Sequence, residues 1–352
     1  MSAVIDLSHV DTRTKATRSE SVWRAAAKRF RSDRVGMVSL VIVALFLLLV
    51  LAAALGLVGK NWQTETGVPN APPTFLGPAA ASETLEIAAP TGPNADISAV
   101  DPLAPRYQEW AEAAKKYQTT ASVKADTLPF GGDRLGRDVL AKAVKGAQIS
   151  ILVGVAAALL ATAIGTVLGA LSGFFGGKVG DLLEWVYNVF TAIPGILLIF
   201  AFAAVFGRGI GSVVLILGLA GWTGIYRLIR AEFIKHSVRD YVRSAEAIGA
   251  GNASRMFRHI LPNVSHVVLV QLSIHVVGFI KSEVILSYLG LGVGVDQVSW
   301  GTMLAESQSE LILGYWWQLA AATILMALFV TAFSLMTDAL RDALDPKLRG
   351  LE

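Results

Sequence analysis

The sequence predicts an all-α membrane protein with six transmembrane helices, and three observations predict it. Of its 352 residues, 54% are hydrophobic and only 16% are charged, where a soluble domain carries about a quarter charged residues. Six stretches approach the roughly 20 apolar residues that a span requires: 35–59, 146–177, 185–207, 209–226, 260–280 and 311–337. Lys and Arg concentrate in alternate connections, which sets orientation. The chain has no cysteine, so disulfides, thiolate metal sites and cysteine nucleophiles are excluded.

Taken in order, residues 1–34 form a basic tail expected in the cytoplasm. Its first 19 residues are expected to be disordered. Residues 20–34 fit either a basic amphipathic helix on anionic lipid or a solvated tail that only sets topology. The span 35–59 is too long, and its polar lead too extended, for a cleavable signal. With the tail inside, the turn 177–184 with Lys178 is inside, and Arg208 sits in a tight external turn. The connection carrying Arg227, Arg230, Lys235, Arg239, Arg243, Arg255 and Arg258 is inside. Residues 291–315, without Lys or Arg, are outside, and the tail 341–352 is inside.

Residues 60–145 form an external, proline-rich insertion. One short helix stands out in "PRYQEWAEAAKKYQ", where Tyr107, Trp110, Ala114 and Tyr117 share a face expected to pack on the protein's own surface. Asp138 is placed to cap the helix that becomes the second span. Within that span Gly165, Gly169 and Gly173 recur every fourth residue, a small-residue face for close helix approach. Pro194 is expected to kink the third span, and a kinked helix is a candidate to line a pathway.

Between the fourth and fifth spans lies "RSAEAIGAGNASRMFRHILPN". Ala231, Ile234, Val238, Tyr241, Val242, Ala245 and Ile248 form a helical apolar stripe. Gly249 and Gly251 break the helix, Asn252 suits a cap, a second short helix covers 253–260, and Pro262 begins the fifth span. The product is a helix–turn–helix elbow over 239–262. Two amphipathic pieces suit a knob for a partner's groove better than a plain connection does. In the fifth span Lys281 and Glu283 are the formal charges of an apolar run, spaced to face different sides. Both are pathway or gate candidates, although Lys281 near a helix end also suits snorkelling. His266 and His275 read as packing residues.

The elbow resembles the cytoplasmic signature of permease subunits in bacterial ABC importers: Glu-Ala-Ala, three residues, Gly, nine residues, a hydrophobic residue, one residue, Leu-Pro. Ala245, Gly249, Leu261 and Pro262 are in register. Arg243 replaces the glutamate, Ser244 the first alanine, and His259 the hydrophobic residue. "FGGDRLGRDVLAK", "LSYLGLGV", "SWGTML" and "DALRDALDPKLR" resemble the oligopeptide, dipeptide and nickel branch, specifically its second (C-type) permease subunit. The likeness covers about 128 to 352, and the first span with its basic lead.

The resemblance implies a MetI-like, type I importer transmembrane fold with a core permease domain at 146–340, in a bacterial inner membrane. It implies a homologous sister permease, two cytoplasmic ATPase subunits (or one fused), and an external substrate-binding protein, with no nucleic-acid partner. The elbow is then a coupling segment, with Arg243, Ala245, Ile248, Gly249, Ala250, Asn252, Met256, Phe257, Leu261 and Pro262 at or around the ATPase contact. Cofactors are expected only on the partners, which hold ATP and Mg, because the chain has no G-x-x-x-x-G-K-[ST] loop. The peptide reading competes with nickel or another small solute. An ATP-independent secondary transporter would need internal repeats, and a membrane enzyme a converging catalytic set; the sequence displays neither.

Overall fold

The computed structural model describes residues 22–78, 101–115 and 124–344. The tail 1–19, the segment 79–100, Tyr117 and the residues from 345 onward lie outside them. The described helices are α1 (Val22–Ser32), α2 (Arg34–Ala54), α3 (Tyr107–Lys115), α4 (Val139–Phe175), α5 (Gly177–Ala192), α6 (Gly195–Phe206), α7 (Ile210–Ser237), α8 (Asp240–Ala247), α9 (Asn252–Ser254), α10 (Leu261–Tyr288), α11 (Trp300–Ile312) and α12 (Trp317–Leu344). Five of the described helices are long and apolar enough to cross a membrane, and the pair α5–α6 makes a sixth if it counts as one span.

The bundle is organised around α4, a 37-residue helix whose first orphan N–H groups are satisfied by the Asp138 carboxylate. Its length, about 55 Å, exceeds the roughly 30 Å hydrocarbon layer. It therefore reaches beyond the layer. Gly165, Gly169 and Gly173 lie directly on the backbone of α7. A Cβ at each would sit 2.6 Å from the Trp222 carbonyl, 2.7 Å from the Tyr226 carbonyl and 2.5 Å from the Arg230 carbonyl. The four-residue spacing thus matches four-residue spacing on the partner helix. In lipid this contact rests on packing rather than on the hydrophobic effect. On its other side α4 meets α10, with Gly154 against Ile280. Phe46 of α2 meets Phe329 of α12 edge-on, at 5.3 Å between ring centres.

Four expectations are corrected. The stretch 177–184 is not a turn but the first two turns of α5. Pro194 does not merely kink a span: α5 and α6 are separate helices bent by 91°. Proline drives the residue before it out of the helical region, and Ile193 and Pro194 are consecutively extended, at ψ 129° and 127°. Residues 311–312 belong to α11, so the last span begins at Trp317, after a turn through Gly314. Helix α11 itself had no counterpart in the sequence reading. It starts with a reciprocal cap in which the Thr302 N–H donates to Ser299 Oγ and the Ser299 N–H donates to Thr302 Oγ1. Finally, Tyr107 and Trp110 do not pack on the body. They remain exposed, 6.0 Å apart, with Arg106 over the Trp110 ring.

Helix α1 neither floats as a solvated tail nor meets lipid alone. Ala26 and Phe30, one turn apart, pack on Leu340, Ala343 and Leu344 of α12 and Val270 of α10, while Lys28 and Arg31 stay exposed. This cluster closes one end of the bundle, the elbow end. A charge cluster occupies the far end.

Candidate functional site

The elbow follows from two local rules. Helix α7 ends at Ser237, and extended Arg239 separates it from α8, so the expected apolar stripe is redirected. Val242 and Ala245 are buried, while Ile234, Val238 and Ile248 are exposed. Helix α8 ends in a glycine motif in which the Ala250 N–H donates to the Ala245 carbonyl and the Gly249 N–H to the Glu246 carbonyl, both at 2.9 Å. Gly249 has φ +89°, a value side-chain-bearing residues resist.

The second arm departs from expectation in two ways. Gly251, not Asn252, is the cap residue, and Asn252 is the first helical residue, its side-chain oxygen taken by the Arg255 guanidinium. Pro262 stands in the first turn of α10, as expected, but no break precedes it. Residues Asn252–Tyr288 form one continuous 37-residue helix, with a π turn at Arg255–Ile260 in which the Leu261 N–H reaches the Met256 carbonyl. The widened turn accommodates the proline ring that would otherwise break the helix.

The elbow has an anchored side and a presented side. Val242, Met256, Ile260 and Val264 pack with Ala170, Ile225, Ile229 and Phe233 of α4 and α7. Ala245 and Met256, expected at a partner contact, are therefore buried supports. On the presented side Arg243, Gly249, Asn252 and Pro262 are exposed, Ile248 is 86% and Phe257 54% exposed, and Ala250 and Leu261 are half-buried. The arms are tied by Arg255, which pairs with Glu246 at 2.6 Å and lies 5.2 Å over the Phe174 ring. Arg243 forms no ion pair among the described residues. Glu246, one turn later, carries the arm-to-arm contact, which no motif spacing had indicated.

The pathway candidates separate. Pro194 is exposed at the α5–α6 bend. Glu283 is fully buried and faces α4 and α11 rather than any groove. Ser287 Oγ donates to its Oε1 at 2.6 Å, and the Ser150 and Ser299 hydroxyls adjoin it. Lys281, two residues earlier, is exposed and lines a groove between α10 and α12.

At the far end lies a cluster that sequence reasoning missed. Lys142, 1% exposed, donates to Asp133 Oδ2 at 2.8 Å, to Glu306 Oε2, and to Gln318 Oε1 at 3.3 Å. Arg137 also pairs with Asp133, at 2.6 Å. Burial opposes ionisation of Asp133, but the Lys142 charge and the hydrogen bonds from Arg137 and Lys142 outweigh it and hold the carboxyl below its usual range. Glu310 differs: burial pushes its carboxyl up despite the Arg134 N–H on its Oε1. The Trp317 indole N–H donates to the Gly132 carbonyl at 2.6 Å, completing a polar seam between the α4 approach, α11 and α12.

Comparison with known proteins agrees with this architecture. Residues 165–350 match the family described as binding-protein-dependent transport system inner membrane component. Residues 21–73 match the N-terminal TM domain of oligopeptide transport permease C. The oligopeptide transport system permease protein OppC of Bacillus subtilis (strain 168) is 30% identical over 96% of this chain and 94% of its own length. The di/tripeptide transport system permease protein DppC of Pseudomonas aeruginosa (strain UCBPP-PA14) is 36% identical over 63% of this chain and 73% of its own. Among solved structures, the inward-facing MetNI methionine ABC transporter aligns at 15% identity over 58% of this chain and 96% of that one, with a TM-score of 0.48. A helical bundle whose family match spans more than half of the chain, and whose relative matches nearly all of it, belongs to the binding-protein-dependent transport system inner membrane components, the permease subunits of ABC importers.

Proposed function

We propose that this chain forms half of the translocation pathway of an ATP-driven peptide importer, with both termini and the elbow in the cytoplasm. A homologous sister permease supplies the other half, two ATPase subunits hold ATP and Mg, and an external binding protein delivers the substrate. The presented side of the elbow carries this reading. Ile248 and Phe257 are large, apolar and exposed on a segment whose other side is fixed in the bundle, which suits a knob seated in a groove of another protein. Arg243, Gly249, Ala250, Asn252, Leu261 and Pro262 shape or rim that knob, with Ala245 and Met256 beneath it. The relatives' names, oligopeptide, dipeptide and di/tripeptide permeases, support peptides over nickel or other solutes.

The test is ATPase activity of the purified assembly in lipid, with and without peptide-loaded binding protein. Gly249→Val should abolish the stimulation, since a positive φ costs a β-branched residue about 1–2 kcal/mol and reshapes the knob. Phe257→Asp should do so without disturbing the buried side. Full stimulation in both variants would remove the elbow from the coupling path.

A further inference from the structure

The groove between α10 and α12 has a volume of about 330 Å³ and is lined by Ser273, Val277, Gly278, Lys281, Ser334 and Asp338 among others. It is open at its centre, because a Cβ on Gly278 would meet nothing within 4 Å. Lys281 and Asp338 are both exposed, and neither has an ion pair or side-chain hydrogen bond among the described residues. They do not pair with each other.

Their depth decides what they face. Val270 packs with Ala343 and Leu344 at the elbow end of α12. Lys281 lies eleven residues further along α10, about 16 Å at 1.5 Å per residue, and seven residues, about 10 Å, before the helix ends at Tyr288. Ser334, in the same groove, is ten residues from Leu344, about 15 Å, which agrees. Snorkelling serves basic residues in the last turn of a span, and Lys281 stands two turns inside the end of α10. An unpaired charge at this depth faces water or the bundle interior rather than lipid.

The two charges are also staggered. In the antiparallel register set by Val270 and Ala343–Leu344, Asp338 is level with residues 275–276 of α10. That is five to six residues, about 8 Å, closer to the elbow end than Lys281. An extended chain covers roughly 3.3–3.6 Å per residue, so the stagger matches the end-to-end length of two to three residues. In this register the Ser334 and Thr337 hydroxyls and an apolar wall of Val277 and Gly278 lie between the charges, groups that hold a peptide backbone without reading its side chains.

We propose that this groove is a pathway subsite for a short zwitterionic peptide, with Lys281 receiving its carboxylate and Asp338 its ammonium group. The assignment rests on the importer reading above. It also sets a direction: the ammonium end lies nearer the elbow.

The experiment is peptide uptake into proteoliposomes holding the complete assembly, using di- and tripeptides with free or amidated C-termini. Affinities of the binding protein for each peptide are measured separately. A charge-assisted contact contributes about 1.5–3 kcal/mol, so Lys281→Met should raise KM for free peptides roughly ten- to hundredfold and leave amidated peptides unchanged. Lys281→Arg should retain most of the uptake. Asp338→Asn should show the converse selectivity, penalising free amines over N-acetylated peptides. Equal penalties on free and amidated peptides would overturn the subsite. So would loss of sister-permease association in Lys281→Met irrespective of peptide, because the lysine would then be an intersubunit ion pair. No peptide uptake by the unaltered assembly would instead remove the peptide reading itself, and the subsite with it.

Discussion

Lys142 and Lys281 are two lysines in a chain poor in charge, and they stand in opposite situations. Lys142 is buried and holds three partners from three segments, Asp133, Glu306 and Gln318. Lys281 is exposed on a helix flank with none among the described residues. A buried, saturated ammonium is architecture: removing it leaves other charges stranded. An exposed ammonium without a partner adds little to the fold and is left available to the ligand proposed for the groove. Pairing, more than burial, separates the charge that builds the molecule from the charge assigned above to a ligand.

That contrast can be broken by experiment, beginning with the largest effect. Lys142→Met should destabilise the protein by about 3–5 kcal/mol, because Asp133 would remain buried with only Arg137 beside it; a lowered thermal unfolding temperature of the assembly checks this. Glu310→Gln should be milder and opposite in sign, a gain of about 1 kcal/mol at neutral pH. Glu310 has a raised folded-state pKa, so its penalty is present at high pH and disappears as pH falls below its ordinary value of 4.5. The variant and the native chain should therefore converge in acid. Asp133 runs the other way. Its lowered pKa contributes stability above the ordinary 3.8 that is lost as pH falls through the folded value. A pH series of unfolding temperatures should thus rise slightly on acidification before it drops. The smallest effect belongs to Lys281→Met, which should leave the unfolding temperature within experimental scatter. A loss comparable to that of Lys142→Met would erase the distinction.

Much of the fold was legible because it is local. The Asp138 cap, the Gly249 turn and the glycine face of α4 each follow from a few neighbouring residues. The elbow was legible in outline, but which side it presents was not. The break at 238–239 rotates α8 relative to α7, and the helical stripe counted straight through it. The Lys142 cluster was invisible because two of its three partners, Glu306 and Gln318, are 164 and 176 residues away. The angle at Pro194 depends on two consecutive extended residues, where the sequence signals only one irregularity. The position of Lys281 depends on where α10 ends. Against the expected span 260–280 it looked like an edge residue, but the helix runs seven residues further, to Tyr288.

The continuous helix Asn252–Tyr288 has a mechanical consequence. It carries Phe257 at the elbow and Lys281 in the groove, with Val270 seated in the end cluster between them. Phe257 lies about 20 Å to one side of that seat and Lys281 about 16 Å to the other. The helix is also seated on both sides of Val270, by Met256, Ile260 and Val264 against α4 and α7 and by Ile280 against Gly154 of α4, so a displacement at Phe257 reaches Lys281 only when the whole helix shifts against α4 and α7. Cargo held between Lys281 and Asp338 would resist that shift. If the elbow is the ATPase contact and the groove the cargo site, as proposed, reciprocity of coupling requires that the ATPase's effect on binding in the groove be matched by an equal effect of the cargo on binding at the elbow.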